Sequence, residues 1–342
     1  MNKGCRFGTH RVIEPSGVLP QAAIKVDNTM TIKSNELLID VITLNIDSAS
    51  FTQIKEACGT KEKMEEMILD IVSKRGKMQN PVTGSGGMLI GKVKEVGADF
   101  PDKTLKVGDK IATLVSLSLT PLKINKINDI KLENDQVDVD AEAILFESGI
   151  YAKVPADLPE KLVLAALDVA GAPAQTDKLV KEGDTVAVVG AAGKSGVLCC
   201  YQAKKKVGNS GKVIGIVPFE SQVQGLRKLN VCDEIIVADA TKAVDVYEKV
   251  MEVNKDQVDV CINVVNVPNC EMSCVLITKD TGVVYFFSMA TSFTKAALGA
   301  EGVGSDVTMI VGNGYTKGHA ELTLKLVEEA KEIRELFEEI YA

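Results

Sequence analysis

Two different rhythms of apolar and polar positions run along the chain. Beyond about residue 156, short and nearly continuous apolar runs recur at 185–189, 212–217, 234–237, 258–264, 282–288 and 307–311. Stretches with helical spacing separate them, at 194–206, 220–229, 243–253 and about 269–277. Strands alternating with helices at this spacing predict βαβ units and a parallel sheet. A run such as G-V-V-Y-F-F-S shows no polar alternation, as a strand buried on both faces requires. The expected fold class is α/β, with a doubly wound Rossmann sheet in the second half. The first half reads otherwise: segments 36–51, 86–97 and 105–112 are β-rich with glycine turns, predicting a small irregular barrel-like domain. At the far end, 317–339 predicts one long acid-rich amphipathic helix with a solvated face. The expected domains are 1–155, 156–312 and a terminal segment 313–342 packing back on them.

The first run of the second half leads straight into candidate chemistry. It reads T-V-A-V-V-G-A-A-G-K-S-G over 185–196, a strand followed by glycines at 190, 193 and 196. Such a turn permits a tight bend, a close approach of backbone to pyrophosphate, and close packing of helix on strand. The helix N-terminus then offers free N–H groups to the phosphates. Gly190, Ala192, Gly193, Lys194, Ser195 and Gly196 are therefore candidate cofactor-binding residues. Gly193-Lys194-Ser195 also imitates the end of a P-loop, but that motif needs a glycine where Val188 stands, so an NTPase is set aside. The second strand ends in Val217 and Pro218 without the acid that holds a ribose 2′-hydroxyl, so NAD and NADP both remain open. Glu220 is as readily the first residue of the next helix. Asn266 and the segment Phe287, Ser288, Met289 follow the fourth and fifth strands, where loops face a nicotinamide in this fold.

Composition narrows the class of protein. The chain has 342 residues, 46% of them hydrophobic and 25% charged, with net charge −8. An acidic chain is repelled by nucleic acid and by anionic membrane, so neither is expected as a partner. Tryptophan is absent and aromatics make up 4%, leaving little to stack on bases. No apolar run approaches the roughly 20 residues of a membrane span. The N-terminal string M-N-K-G-C-R-F-G-T-H lacks the apolar core of a signal peptide, which predicts a cytoplasmic protein. Its eight scattered cysteines include no C-x-x-C pair and are expected to be reduced structural thiols.

With the glycine turn in place, the first-half segments resemble the medium-chain dehydrogenase/reductase superfamily. Residues 36–51 match its strand-turn, 86–97 its G-H-E-x-x-G-x-V-x-x-V-G segment, and 105–112 its P-G-D-x-V strand. The resemblance implies a GroES-like catalytic domain ahead of the Rossmann domain. Zinc-dependent members carry Cys at the place of Asp47 and His-Glu at the place of Gly87-Met88, and they have a four-cysteine lobe that this chain lacks. Asp47 alone is too few ligands for zinc, so no metal is expected. The strings G-T-H-R-V-I-E-P-S-G-V-L-P-Q (8–21) and I-L-F-E-S-G-I-Y-A-K-V-P (144–155) are similar to the diaminohexanoate dehydrogenase family of lysine fermentation. That resemblance implies oxidative deamination of 3,5-diaminohexanoate to 5-amino-3-oxohexanoate and ammonia, with hydride passing to NAD or NADP. A homodimer is implied as well.

A diamino acid substrate calls for acids to hold ammonium, a cation to hold carboxylate, and a base for the reacting amine. Asp47, His10, Glu14 and Glu147 are the candidate catalytic groups, and Arg11, Thr9 and Tyr151 the candidate substrate-binding ones. Asp47 reads equally well as a cap for the Ser48-Ala49-Ser50 turn. The segment 9–14 reads alternatively as solvated surface, and Glu147 and Tyr151 as a plain linker. Rival functions are another zinc-free reductase, acting on quinones or enoyl groups, and a dinucleotide-binding protein without turnover.

Overall fold

In the computed structural model, which describes residues 2–312 and 314–340, the chain divides into the units Met1–Leu158 and Pro159–Ala342. Positions 313, 341 and 342 of the expected terminal segment lie outside the described residues.

The first unit opens with a single turn, Thr9–Arg11, and a ribbon of β1 (Val12–Glu14) and β2 (Lys25–Val26). Its main body is an antiparallel sheet of β3 (Leu37–Ile46), β4 (Gly87–Val96), β5 (Lys110–Thr113), β6 (Leu122–Lys131), β7 (Gln136–Leu145) and β8 (Tyr151–Lys153). The strand order is β6-β7-β3-β4-β5-β8. Alternating burial along most of β3 sends Leu37, Ile39, Val41 and Ile46 into the core and leaves Asp40 and Ile42 outside. Between β3 and β4 lie two helices absent from the sequence expectation, α1 (Ser48–Cys58) and α2 (Lys61–Arg75). Their signals are nonetheless local. Asp47 caps α1, Gly59 ends it at φ 74, Thr60 caps α2, and Gly76 ends that at φ 70. The apolar stripes Phe51, Ile54, Cys58 and Met64, Ile68, Ile71, Val72 have helical spacing and join the same core.

The second unit begins with α3 (Glu160–Leu167) and α4 (Gly171–Leu179) and then alternates strictly. Its strands are β9 (Thr185–Val189), β10 (Lys212–Val217), β11 (Glu234–Val237), β12 (Val258–Asn263), β13 (Thr278–Phe286) and β14 (Thr308–Val311). The helices between them are α5 (Lys194–Val207), α6 (Val223–Leu229), α7 (Ala243–Asn254), α8 (Glu271–Ile277) and α9 (Phe293–Val303). The sheet is parallel in the order β11-β10-β9-β12-β13-β14, so the doubly wound expectation holds. The chain leaves β9 in one direction through β10 and β11, then crosses back to β12 on the other side. That reversal opens a crevice at the carboxyl end of β9, where ligands of such sheets bind. The expected strand 282–288 ends at Phe286, which puts Phe287 and Ser288 in the following loop.

One expectation fails at the end of the chain. The single helix over 317–339 is two helices, α10 (His319–Glu329) and α11 (Lys331–Ile340). Buried Ala330, at φ −104 and ψ 91, interrupts them, and the turn lets both helices pack against α3 and α5.

Candidate functional site

The three glycines of the turn after β9 are not equivalent. Gly190 has φ 92, and a Cβ there would stand 2.7 Å from Val265 Cγ2. Its N–H and that of Ala191 both donate to Ile216 O, at 2.9 and 3.2 Å. At Gly196 a Cβ would fall 2.1 Å from Gly190 O, so helix and turn touch backbone to backbone. Gly193, the N-cap of α5, has an ordinary φ of −78. A Cβ there would meet its nearest atom, Gly190 O, at 3.5 Å. The fold therefore demands two of the glycines and leaves the third unexplained by protein contacts.

A cleft of about 80 Å³ opens beside this turn. Gly190, Val217 and Pro218 line it, together with Val265 and Val267 from the loop after β12. Asp239 and Thr241, from the loop after β11, complete the wall. Sequence reading missed these two, although they sit at the same carboxyl edge as the glycine turn. Thr241 donates its N–H and hydroxyl to Asp239 Oδ1 at 2.9 and 2.7 Å. Those bonds hold the Asp239 carboxyl below the usual carboxylate range. Ala192 and Ser195 lie in the turn and first residues of α5, and Lys194 reaches Asp168 Oδ2 at 2.6 Å. Asn266 is exposed in the loop after β12, and Met289 is exposed after β13. Phe287 donates its N–H to Asn263 O at 3.0 Å, and Ser288 Oγ accepts from Ala290 N at 3.1 Å. Asn263 Oδ1 caps Val265 N at 3.0 Å, the local role weighed for it.

In the first unit the candidate residues fall into two groups at opposite ends of β3. Just before the strand, Glu36 is 1% exposed and accepts from His10 Nε2 at 2.9 Å, from Lys33 N at 2.7 Å, and from Arg11 Nε and Nη2, both at 2.7 Å. His10 Nδ1 accepts from Cys5 N at 3.0 Å, which leaves the proton on Nε2 for Glu36. Burial alone would raise the Glu36 pKa; the Arg11 and Lys33 hydrogen bonds outweigh it and hold it low. The remaining Arg11 donors go to the carbonyls of Asp27, Thr29 and Thr31. Arg11 is thus a buried strut whose five N–H groups are all engaged, in contrast to the substrate-carboxylate role expected for it. Beside it, fully buried Asn35 donates to Glu147 Oε2 at 2.8 Å, and Lys3 stands 3.7 Å from the same oxygen. Thr9 is exposed in the first turn, and Glu14 is exposed on β1.

After β3, Asp47 takes up the capping position, Oδ1 accepting from Ser50 N at 3.1 Å. Its Oδ2 accepts from Ser85 Oγ at 2.7 Å. Ser50 Oγ lies 2.9 Å from Ser85 Oγ and 2.5 Å from Thr83 Oγ1, making a small hydroxyl cluster around the carboxylate. Across from it, Gly87 has φ 105, and a Cβ there would stand 2.0 Å from Asn45 O and 2.7 Å from Asp47 N. The 10 residues of β3 separate this cluster from the Arg11–Glu36 group by roughly 30 Å at a strand's rise. A six-carbon substrate cannot touch both. Tyr151, on β8, donates its phenol to Asp102 Oδ2 at 2.6 Å. Among the described residues, no three His, Cys, Asp or Glu side chains converge as metal ligands would. All eight cysteines are free, and burial pushes the Cys199 thiol up to about 12.

Against known proteins, the first unit matches the family model described as L-erythro-3,5-diaminohexanoate dehydrogenase N-terminal domain, over residues 10–155. Relatives named L-erythro-3,5-diaminohexanoate dehydrogenase extend the match to the whole chain. That of Fusobacterium nucleatum is 62% identical, with 100% of both chains covered. That of Acetoanaerobium sticklandii is 60% identical over 99% of both. Among solved structures, an alcohol dehydrogenase from Thermotoga maritima aligns with TM-score 0.54 at 14% identity, over 89% of this chain and 84% of its own. At that identity the likeness concerns the fold.

Proposed function

Since the chain belongs to the L-erythro-3,5-diaminohexanoate dehydrogenase family, we propose that it oxidatively deaminates L-erythro-3,5-diaminohexanoate to 5-amino-3-oxohexanoate and ammonia, as in lysine fermentation. The observation that carries this reading is identity of 60–62% along the full length. The middle glycine of the turn supports it, because no protein contact demands a bare position at Gly193, whereas close approach of a pyrophosphate would. Substrate ammonium, water and oxidised dinucleotide give ketone, ammonium, reduced dinucleotide and a proton. The nicotinamide, when bound, supplies the hydride acceptor. The substrate's C3 amine must first lose a proton, so that its lone pair can assist departure of hydride from C3; water then hydrolyses the iminium. A carboxylate is suited to that proton transfer. We assign it to Asp47, whose two oxygens each hold one protein donor and can accept more. His10, Arg11 and Glu147 instead anchor the N-terminal segment.

The residues at the usual metal position do not fit zinc, since Gly87 has no room for any side chain. Hence the chemistry is assigned to carboxylate and dinucleotide. NAD is the preferred form in this reading. No lysine or arginine lines the described cleft to hold a 2′-phosphate. A cytoplasmic location agrees with eight free thiols. A homodimer agrees with β14, an edge strand whose Val311 is 66% exposed. The test is direct: purified protein should reduce NAD with L-erythro-3,5-diaminohexanoate and release ammonia. No reduction of NAD or NADP with this substrate would overturn the assignment. Turnover with quinones or enones instead would favour the rival reductases.

A further inference from the structure

A chain of hydroxyls leads away from the Asp47 carboxylate. Ser85 Oγ is 2.7 Å from Asp47 Oδ2, Ser50 Oγ is 2.9 Å from Ser85 Oγ, and Thr83 Oγ1 is 2.5 Å from Ser50 Oγ. Ser50 is fully buried, whereas Thr83 is exposed in the loop between α2 and β4. Fully buried Asn80 ties that loop to α1, donating to Ser50 O at 3.3 Å and Gln53 Oε1 at 2.8 Å and accepting from Val82 N at 2.8 Å. The hydroxyl protons have a set direction. An ionised carboxylate only accepts, so Ser85 spends its single proton on Oδ2 and its oxygen is left to accept. With Ser50 as the nearer donor to Ser85, Thr83 donates to Ser50, and the protons run from the exposed end toward Asp47.

The deamination needs its base twice. Taking a proton from the C3 ammonium leaves Asp47 a neutral acid. Hydrolysis of the iminium then needs a carboxylate again, to carry a proton from the attacking water to the departing nitrogen. That hydrolytic half is proton-neutral. The first proton, which is the one the whole reaction releases, must therefore leave while the substrate is still in place.

We infer that Ser85, Ser50 and Thr83 form a proton relay that restores the Asp47 carboxylate within the reaction cycle, delivering the substrate's proton to water at Thr83. The inference rests on the deamination reading, with Asp47 as base, proposed above. The N–H bond of the ammonium breaks and an O–H bond forms on Oδ2. That proton passes to Ser85 Oγ as Ser85 gives its own to Ser50, Ser50 to Thr83, and Thr83 to water. Each hydroxyl ends neutral with one proton, the carboxylate is restored and hydronium forms, so water is the only co-reactant. The iminium drives the transfer, because a cation beside Asp47 attracts a carboxylate and not a neutral acid. The three hydroxyls act through Asp47.

The experiment follows a single turnover of the full-length protein, in excess over L-erythro-3,5-diaminohexanoate, with NAD in weakly buffered solution. Absorbance reads NADH and an indicator dye reads the released proton. In wild type the proton should appear in step with NADH. Thr83→Val keeps the shape of the side chain and leaves both Asp47 bonds in place. Its NADH should form at the wild-type rate, while the proton lags behind by at least about tenfold. Thr83→Ser restores the hydroxyl and should bring the two rates within about threefold of each other. Proton and NADH in step in Thr83→Val would overturn the relay and leave the deamination reading standing. Equal slowing of both, which a merely structural role for the cluster predicts, overturns the relay as well. No NADH from wild type would remove the deamination reading itself, and the relay with it.

Discussion

Replacing Gly193 and Gly196 by alanine separates what the fold needs from what the ligand needs. At Gly193 the backbone is extended, with φ −78 and ψ 169, and the new Cβ meets nothing closer than 3.5 Å. Alanine restricts the unfolded chain, which stabilises by about 0.4–1 kcal/mol at a compatible site. It is also a poorer N-cap than glycine, by a similar amount. The two offset, so the stability of unliganded Gly193→Ala should stay within about 1 kcal/mol of wild type. Cofactor binding should suffer instead. In the proposed complex the methyl group would stand between the helix N-terminus and the pyrophosphate, and loss of one hydrogen bond to a charged acceptor costs about 1.5–3 kcal/mol. That is about 10- to 150-fold in Kd for NAD. At Gly196 the new Cβ would lie 2.1 Å from Gly190 O and 2.7 Å from Ala191 C, backbone atoms that cannot rotate aside. Overpacking of this kind costs about 1–3 kcal/mol, and the turn must move. Thermal unfolding without cofactor and calorimetric titration with NAD, on both variants, check this directly. A Gly193→Ala protein that melts well below wild type, or that binds NAD within twofold of it, would refute the reasoning.

Two further outcomes are expected. Asp47→Asn should retain its NAD affinity and lose about 10²–10⁴-fold in kcat/KM with the diamino acid, the usual contribution of a positioned base; turnover within threefold of wild type would remove Asp47 from the chemistry. Lys77 has a fully buried side chain that donates to Pro20 O at 2.6 Å, and burial pushes its ammonium from the ordinary 10.5 down to about 8. Between those values the unfolded chain binds more protons than the folded one, so Lys77 contributes stability that rises with pH across that interval. The difference in urea unfolding between wild type and Lys77→Met should therefore change in favour of wild type from pH about 8 upward, and a flat difference would contradict it.

The parts of the fold visible in the sequence are those written in local periodicity. β9, β10 and β11 begin and end where their apolar runs do, because a buried parallel strand has no polar alternation to blur its ends. α1 and α2 are equally local, with Asp47, Gly59, Thr60 and Gly76 as caps, but the apolar run of β3 continues to Ile46 directly before Asp47, so the start of α1 looks like a turn of that strand. In the C-terminal segment the amphipathic pattern runs on through Ala330, whereas packing against α3 and α5 breaks the helix there. Side-chain roles were much less visible. Arg11 looks from its neighbours like a free anion binder, and only the fold brings Glu36, 25 positions away, onto its guanidinium.

By itself, then, the sequence determined the glycine turn between strand and helix, the strand–helix alternation around it and the lack of metal-ligating side chains at positions 87 and 88, since each depends on residues close along the chain. Tertiary structure alone decided that Arg11, His10 and Glu147 anchor the N-terminus, that Asp47 sits among Ser50, Thr83 and Ser85, and that Asp239 stands at the cleft beside the glycine turn. Those roles depend on the strand order β11-β10-β9 and on the pairing of β3 with β4 and β7. Strand pairing joins residues far apart in sequence, and a local pattern of apolar and polar positions carries no record of which strand lies beside which.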